Sequence, residues 1–334
     1  MEDNRTAHHP EKDAFDVLQE RIRAVSSSCL SKSATILTDS LSEKFPTAAI
    51  LFYGSGNSVN ASENPADIIF DFYVIAPSYA QLFSSPTLRM ANRLLPPNVF
   101  YFECDSEFGT LRAKYATLSL DHFKKLNSRS TFHSYFWARF AQPCRIIDPS
   151  GALIEPLTKS LAQAITTFCL RSAALVTTPF QPRDLWVAGL GVSYKAELRA
   201  ESPERASRLI ESYGDWAKSV TAPALRAAGL SVSEDGQDHI SVASKQNPTL
   251  TILAWRVRAL QGAVISALRL LKGTQTFNGG IDYIAWKIKR HNGVDVGISD
   301  WERRHPLLAA PRVALRYYRQ RAKQAHHPSP DKTP

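Results

Sequence analysis

The feature that most constrains this chain is a pair of apolar segments joined across a glycine turn. "AAILFY" (48–53) runs into Gly54-Ser55-Gly56, a polar stretch follows, and "DIIFDFYVIA" (67–76) returns as a second apolar run with a carboxylate at its centre. With the strand period of two, Asp67, Ile69, Asp71, Tyr73 and Ile75 share one face, and Ile68, Phe70, Phe72 and Val74 share the other. Asp71 therefore projects from an aromatic-rich strand beside the glycine turn. A buried carboxylate needs a cation or strong donors to offset its desolvation. An edge-strand aspartate that reaches solvent is the other reading of the same residue. Glycines permit a tight turn and close approach of backbone N–H groups to a phosphate, and the Ser55 hydroxyl adds a donor. Alone, Gly-Ser-Gly is an ordinary turn.

The surrounding pattern predicts an α/β protein. Residues 14–45 read as helix interrupted by a serine cluster, followed by strands over 48–53, 67–76, 98–104 and 111–120. A helical piece over 77–97 closes at its prolines, and residues 121–150 read as helical up to a boundary in "QPCRIIDPSG". Beyond Gly151 amphipathic helices dominate: 153–176, 184–199, 204–220 and a long one over 249–273, with a helix and short hairpin between the last two. The expected organisation is an N-terminal helical extension (1–45), a small mixed-sheet domain (46–150), a mostly helical, winged-helix-like domain (151–300) and a basic tail (301–334).

At 334 residues the chain can bury a sizeable core, and its 21% charged and 44% hydrophobic composition is that of a globular protein. A net charge of +9 favours acidic partners such as phosphates, nucleic acid or an anionic membrane. Cys29, Cys104, Cys144 and Cys169 are scattered without CxxC or zinc spacing and read as small hydrophobes in a reducing compartment. Glu2, Asp3 and Glu11, with no apolar core between them, exclude a resemblance to a signal peptide or a basic presequence. No segment approaches a transmembrane length.

The strand, Gly-Ser turn, spacer and Asp-bearing strand form the layout of the nucleotidyltransferase superfamily. More narrowly, the chain resembles the mitochondrial translocator assembly and maintenance protein family, whose members are phosphatidate cytidylyltransferases. "YGSG" (53–56) is similar to the family's Tyr-Gly-Ser turn and "FDFYV" (70–74) to its Leu-Asp-Phe strand. "LRAKYATLSLDHF" (111–123) is similar to its strand ending in Lys-Tyr, and "YFWARFAQPCRII" (135–147) to its apolar Ala-Gly-Arg segment. "DLWVAGLGVSYKAELR" (184–199) and the Arg-rich "RVRALQGAVISALRLLKG" (256–273) follow in the family's order. The family's acidic pair after the motif strand is replaced by Pro77-Ser78.

The resemblance implies a nucleotidyltransferase-type small mixed sheet with a second, mostly helical domain, and a Mg²⁺-dependent reaction of CTP with phosphatidate. Gly54, Ser55 and Gly56 would hold the triphosphate, Asp71 would ligate Mg²⁺, and Lys114 would neutralise phosphate charge. Tyr194 and Arg199 would close the nucleotide or lipid-phosphate site. The usual second acid two residues from Asp71 is missing, since Ile69 and Tyr73 stand there, and Asp67 lies too far along the strand. Glu103 on the next predicted strand is the candidate second metal ligand.

Each of these residues also has an ordinary reading: a solvent-facing strand lysine, a core tyrosine, a surface-paired arginine. "FNGGIDY" with Lys287, Lys289 and Arg290 reads as a phosphate-binding turn or as a linker before an exposed helix. The acid-free tail from Arg303 to Lys323 suits an anionic lipid surface, where each cation contributes about 1 kcal/mol. The expected location is cytoplasmic, peripheral on the inner face of a membrane, in a bacterial member, with no nucleic acid and no protein partner. Transfer to RNA or protein, or a non-enzymatic basic membrane- or nucleic-acid-binding module, are the alternatives.

Overall fold

The computed structural model describes residues 10–54, 64–197, 203–243, 248–276 and 295–304, and single positions between 309 and 320. The predicted first helix is two: α1 (Pro10–Ser26) and α2 (Lys32–Lys44). The serine cluster separates them because Ser27 and Ser28 hydroxyls donate to the Ala24 and Val25 carbonyls, competing with the helix's own bonds. Ser31 then caps α2 by accepting the Ala34 N–H at 3.3 Å.

The central sheet has strand order β3-β4-β2-β1-β5, with β1 (Ala49–Tyr53), β2 (Ile69–Ala76), β3 (Asn98–Ser106), β4 (Gly109–Ser119) and β5 (Arg145–Ile147). β2 and β4 are parallel, and the other pairs are antiparallel. The chain is thus a mixed α/β protein, as the pattern predicts. Two details differ. Arg145–Ile147, expected as a boundary, is a three-residue edge strand paired with β1. Asp67 sits in a short 3₁₀ turn (Pro65–Asp67), two residues before β2 starts, so it does not belong to that strand's face.

Between β2 and β3, two short helices replace the single predicted piece: α3 (Tyr79–Leu82) and α4 (Pro86–Leu94). Buried Asn92 fastens α4 to the sheet, donating to the Thr117 carbonyl at 2.9 Å and accepting the Asn98 N–H at 2.6 Å.

The period-two alternation of β2 separates two apolar clusters. Phe70, Phe72 and Val74 pack with Ile50, Phe52, Ala113 and Tyr115 under α2 and α3. Tyr73 and Ile75 pack with Leu51, Leu118 and the helices that follow: α5 (Leu120–Asn127), α6 (Tyr135–Phe140), α7 (Ile154–Ser172), α8 (Pro182–Ala196) and α10 (Trp216–Ala227). This second cluster is continuous from sheet to helical half, so the helices seat directly on that face of the sheet.

The predicted helix over 204–220 is broken at Gly214, whose φ of +57° ends α9 (Pro203–Ser212) before α10 begins. A hairpin of β6 (Ser231–Glu234) and β7 (Ile240–Ala243) precedes the long helix α11 (Pro248–Thr276). Trp255 of α11 donates to the Arg171 carbonyl at 3.2 Å, and Arg258 donates to the Phe132 carbonyl at 2.8 Å. Among the described residues no helix is long and apolar enough to cross a membrane. All four cysteines are free, with Cys144 and Cys169 buried and their thiols pushed upward by burial.

Candidate active site

The register sets one row of side chains across four strands: Tyr53 of β1, Asp71 of β2, Lys114 of β4 and Tyr101 of β3. Cross-strand partners in a row project to the same face. It is the face that packs on the helical half, and the row lies at the end where apolar packing gives way to charge. Lys114 Nζ stands 3.5 Å from Asp71 Oδ1, with side-chain exposures of 28% and 33%. The pair is half-buried and reachable from solvent.

β1 ends at Tyr53, and Gly54 turns the chain with φ +81°. A Cβ at position 54 would sit 3.8 Å from Asp71 Oδ2. The turn therefore needs glycine for its backbone angle, and it brings the main chain beside the carboxylate. Gly54, Asp71 and Lys114 lie together at this end of the sheet. Ser55, Gly56 and Arg199 lie outside the described residues, as does the glycine-lysine stretch 277–291.

Glu103 does not join Asp71. The β3–β4 hairpin closes with Ser106 opposite Gly109, which places Glu103 opposite Arg112 and Tyr101 opposite Lys114. Two strand spacings, roughly 9.5 Å, separate β3 from β2, with Arg112 between them. Glu103 instead takes the Arg112 guanidinium at 3.2 Å and accepts the Tyr101 hydroxyl at 2.6 Å. Burial and this carboxylate raise the Tyr101 phenol above its ordinary range. Arg112 in turn donates to the Ala66 carbonyl at 3.1 Å, bracing the 3₁₀ turn that feeds β2.

Tyr194 is buried within the core cluster on α8, the position of a core aromatic.

Beneath the row lies a group that sequence reading missed. Arg139 of α6 is nearly enclosed, with 11% of its side chain exposed, and donates to Tyr53 Oη at 3.1 Å and to Glu197 Oε2 at 3.0 Å. Its guanidinium also lies 4.5 Å from the Tyr135 ring, which carries Arg269 of α11 at 3.8 Å. Burial works against the charge on Arg139, but Tyr135, Tyr53 and Glu197 outweigh it and hold the guanidinium protonated. Burial likewise raises the Tyr53 phenol. The available signal was an arginine inside the apolar "FWARFA", where an unpaired guanidinium would be costly.

The donors fit one kind of metal binding. Mg²⁺ is held through one or two carboxylates together with substrate phosphates and water. Asp71 beside a glycine turn supplies one such carboxylate, which suits an ion delivered with a triphosphate. Among the described residues no three His, Cys, Asp or Glu side chains cluster into a metal cage.

No protein-family model matches the chain, and no curated protein matches it at a significant level. The geometry of the row carries the functional reading.

The basic tail is partly satisfied by its own chain. Arg303 pairs with Asp300 at 2.7 Å and Arg316 with Glu302 at 2.5 Å, while Arg312 lies 5.0 Å from the Trp301 ring. The hydrogen bond from Arg316 lowers the Glu302 carboxyl to about 2.

Proposed function

We propose that this chain is a Mg²⁺-dependent nucleotidyltransferase that joins CTP to phosphatidate, giving CDP-diacylglycerol and pyrophosphate. The observation that carries the reading is the convergence of the Gly54 turn, the Asp71 carboxylate and the Lys114 ammonium at one end of the sheet. The choice of CTP and phosphatidate rests on the ordered resemblance of the segments between residues 47 and 273.

A phosphate monoester oxygen attacks the α-phosphorus of CTP, the bond to the β-phosphate oxygen breaks, and pyrophosphate leaves. That oxygen is already nucleophilic near neutral pH, so no general base is required. Positioning and charge neutralisation supply most of the rate. The Gly54 turn offers backbone N–H groups to the triphosphate, and Lys114 neutralises phosphate oxygens. When bound, Mg²⁺ supplies Lewis-acid stabilisation of the leaving pyrophosphate, with Asp71 as its protein ligand. The Arg139–Glu197 pair fixes Tyr53 and thereby the start of the turn.

A lipid acceptor requires contact with a bilayer. α11 has no acidic residue and exposes Leu250, Leu253, Val257, Leu260 and Val264 along one stripe, which supports peripheral attachment.

The test is α-labelled CTP incubated with phosphatidate vesicles and Mg²⁺. Label extracted with lipid, and lost in Asp71→Asn, is the expected result. Label entering RNA or protein would assign a different acceptor. Folded protein that binds neither CTP nor Mg²⁺ would leave a non-enzymatic basic module.

A further inference from the structure

A cavity of about 380 Å³ opens at the end of β1. Its lining includes Gly54, Arg21 and Ala24 of α1, and Tyr213, Asp215 and Trp216 from the break between α9 and α10. Gly54 thus borders two environments, the cavity and the Asp71 carboxylate. A volume of this size accommodates a ligand as large as a nucleoside.

Its two aromatic residues are fixed in place. Trp216 Nε1 donates to the Ala141 carbonyl at 2.9 Å, and Tyr213 Oη donates to Gln142 Oε1 at 2.5 Å. Both polar atoms are committed to the segment that precedes β5; Trp216 is buried in the core cluster behind the cavity, and the half-buried Tyr213 ring borders it. The cavity also carries one cation and one anion, Arg21 and Asp215. Asp215 directly precedes α10, yet its carboxylate makes no capping bond. It is not consumed by the helix it precedes.

We infer that this cavity is the nucleoside subsite, with Asp215 reading the 4-amino group of cytosine; the inference rests on the nucleotidyl-transfer reading above. The phosphates lie on the Asp71 side of Gly54, and the base and ribose lie on the Tyr213–Trp216 side. Cytosine presents a donor at N4 and an acceptor at O2, which match a carboxylate and a guanidinium. Uracil presents a carbonyl oxygen at the same position, so two acceptors would face each other and one would lose its partner.

The test titrates the full chain in Mg²⁺ with CTP, UTP and tripolyphosphate. Wild type binds CTP about tenfold more tightly than UTP, and Asp215→Asn narrows that ratio to about threefold or less. Ala24→Trp, which fills the cavity from an exposed position on α1, weakens both nucleotides and leaves tripolyphosphate unchanged. Asp71→Asn weakens all three. If Asp215→Asn and Ala24→Trp both bind CTP and UTP as wild type does, while Asp71→Asn loses tripolyphosphate, the cavity is not the nucleoside subsite and the phosphate site stands. If folded wild type binds none of the three, the subsite and the reading it rests on both fall.

Discussion

The two faces of one strand behave as different materials. On one face of β2, Phe70, Phe72 and Val74 are buried in an aromatic-rich apolar layer. On the other, Tyr73 and Ile75 are equally buried, but two residues earlier Asp71 meets Lys114 in a half-solvated row. The same backbone and neighbouring strands carry both faces, so strand propensity does not explain the difference. Among the described residues, exposure on the charged face rises at the Asp71–Lys114 pair, beside Gly54 at the end of β1. The Asp71 carboxylate there is reachable from solvent while its backbone is held by paired strands on both sides.

The largest effect should come from breaking the dry face. Phe72→Ala removes a fully buried ring and is expected to cost about 3–5 kcal/mol, read as a fall in the denaturation midpoint with an unchanged slope. Asp71→Asn on the opposite face should leave that midpoint within about 1 kcal/mol of wild type while removing turnover.

The buried pair beneath the row comes next. Arg139→Met strands the Glu197 carboxylate and should cost about 3 kcal/mol, whereas Arg139→Met with Glu197→Leu should recover most of it. If the double variant is stable but inactive, the pair positions Tyr53 and the turn. If it is stable and fully active, the pair is structural only.

A pH effect of intermediate size is expected at His133. Its Nδ1 accepts the Tyr135 N–H at 3.2 Å, so the ring must be neutral there, and burial, aided by Arg269, lowers it to about 4. The unfolded chain binds this proton more readily between about pH 4 and 6.5. Stability is therefore full above pH 6.5 and falls as pH drops towards 4, by on the order of 2 kcal/mol. His133→Gln should flatten that part of the stability profile.

The smallest of these effects belongs to Gly54→Ala. Its φ of +81° is strained for any residue with a Cβ, at about 1–2 kcal/mol, with a loss of nucleotide affinity larger than that strain alone would give.

Much of this was legible in the residues. From Ile69 on, alternation along β2 assigns each side chain to its face, and Gly54 ends β1 where the pattern breaks; Asp67 was placed on that face only because its 3₁₀ turn leaves no periodic signal. Glu103 was misassigned because pairing across β3 and β4 is set by their hairpin. The tight connection Ser106–Gly109, with Gly109 at φ +89°, slides Glu103 opposite Arg112. β5 escaped because three residues are too few for a periodic signal. The Arg139–Glu197 pair joins residues 58 positions apart, and only the packing of α6 against α8 brings them together. The break at Gly214, which builds a wall of the cavity, was hidden inside an otherwise helical pattern.

The central claim is that the charged end of one sheet face is a nucleotide site centred on Asp71 and not on Glu103. The direct measurement is label transfer from α-labelled CTP to phosphatidate by wild type, Asp71→Asn and Glu103→Gln, each first matched for fold by its denaturation midpoint. Asp71→Asn should lose activity by about a hundredfold or more, and Glu103→Gln should stay within about threefold of wild type. A folded Asp71→Asn that transfers label at the wild-type rate would contradict the account.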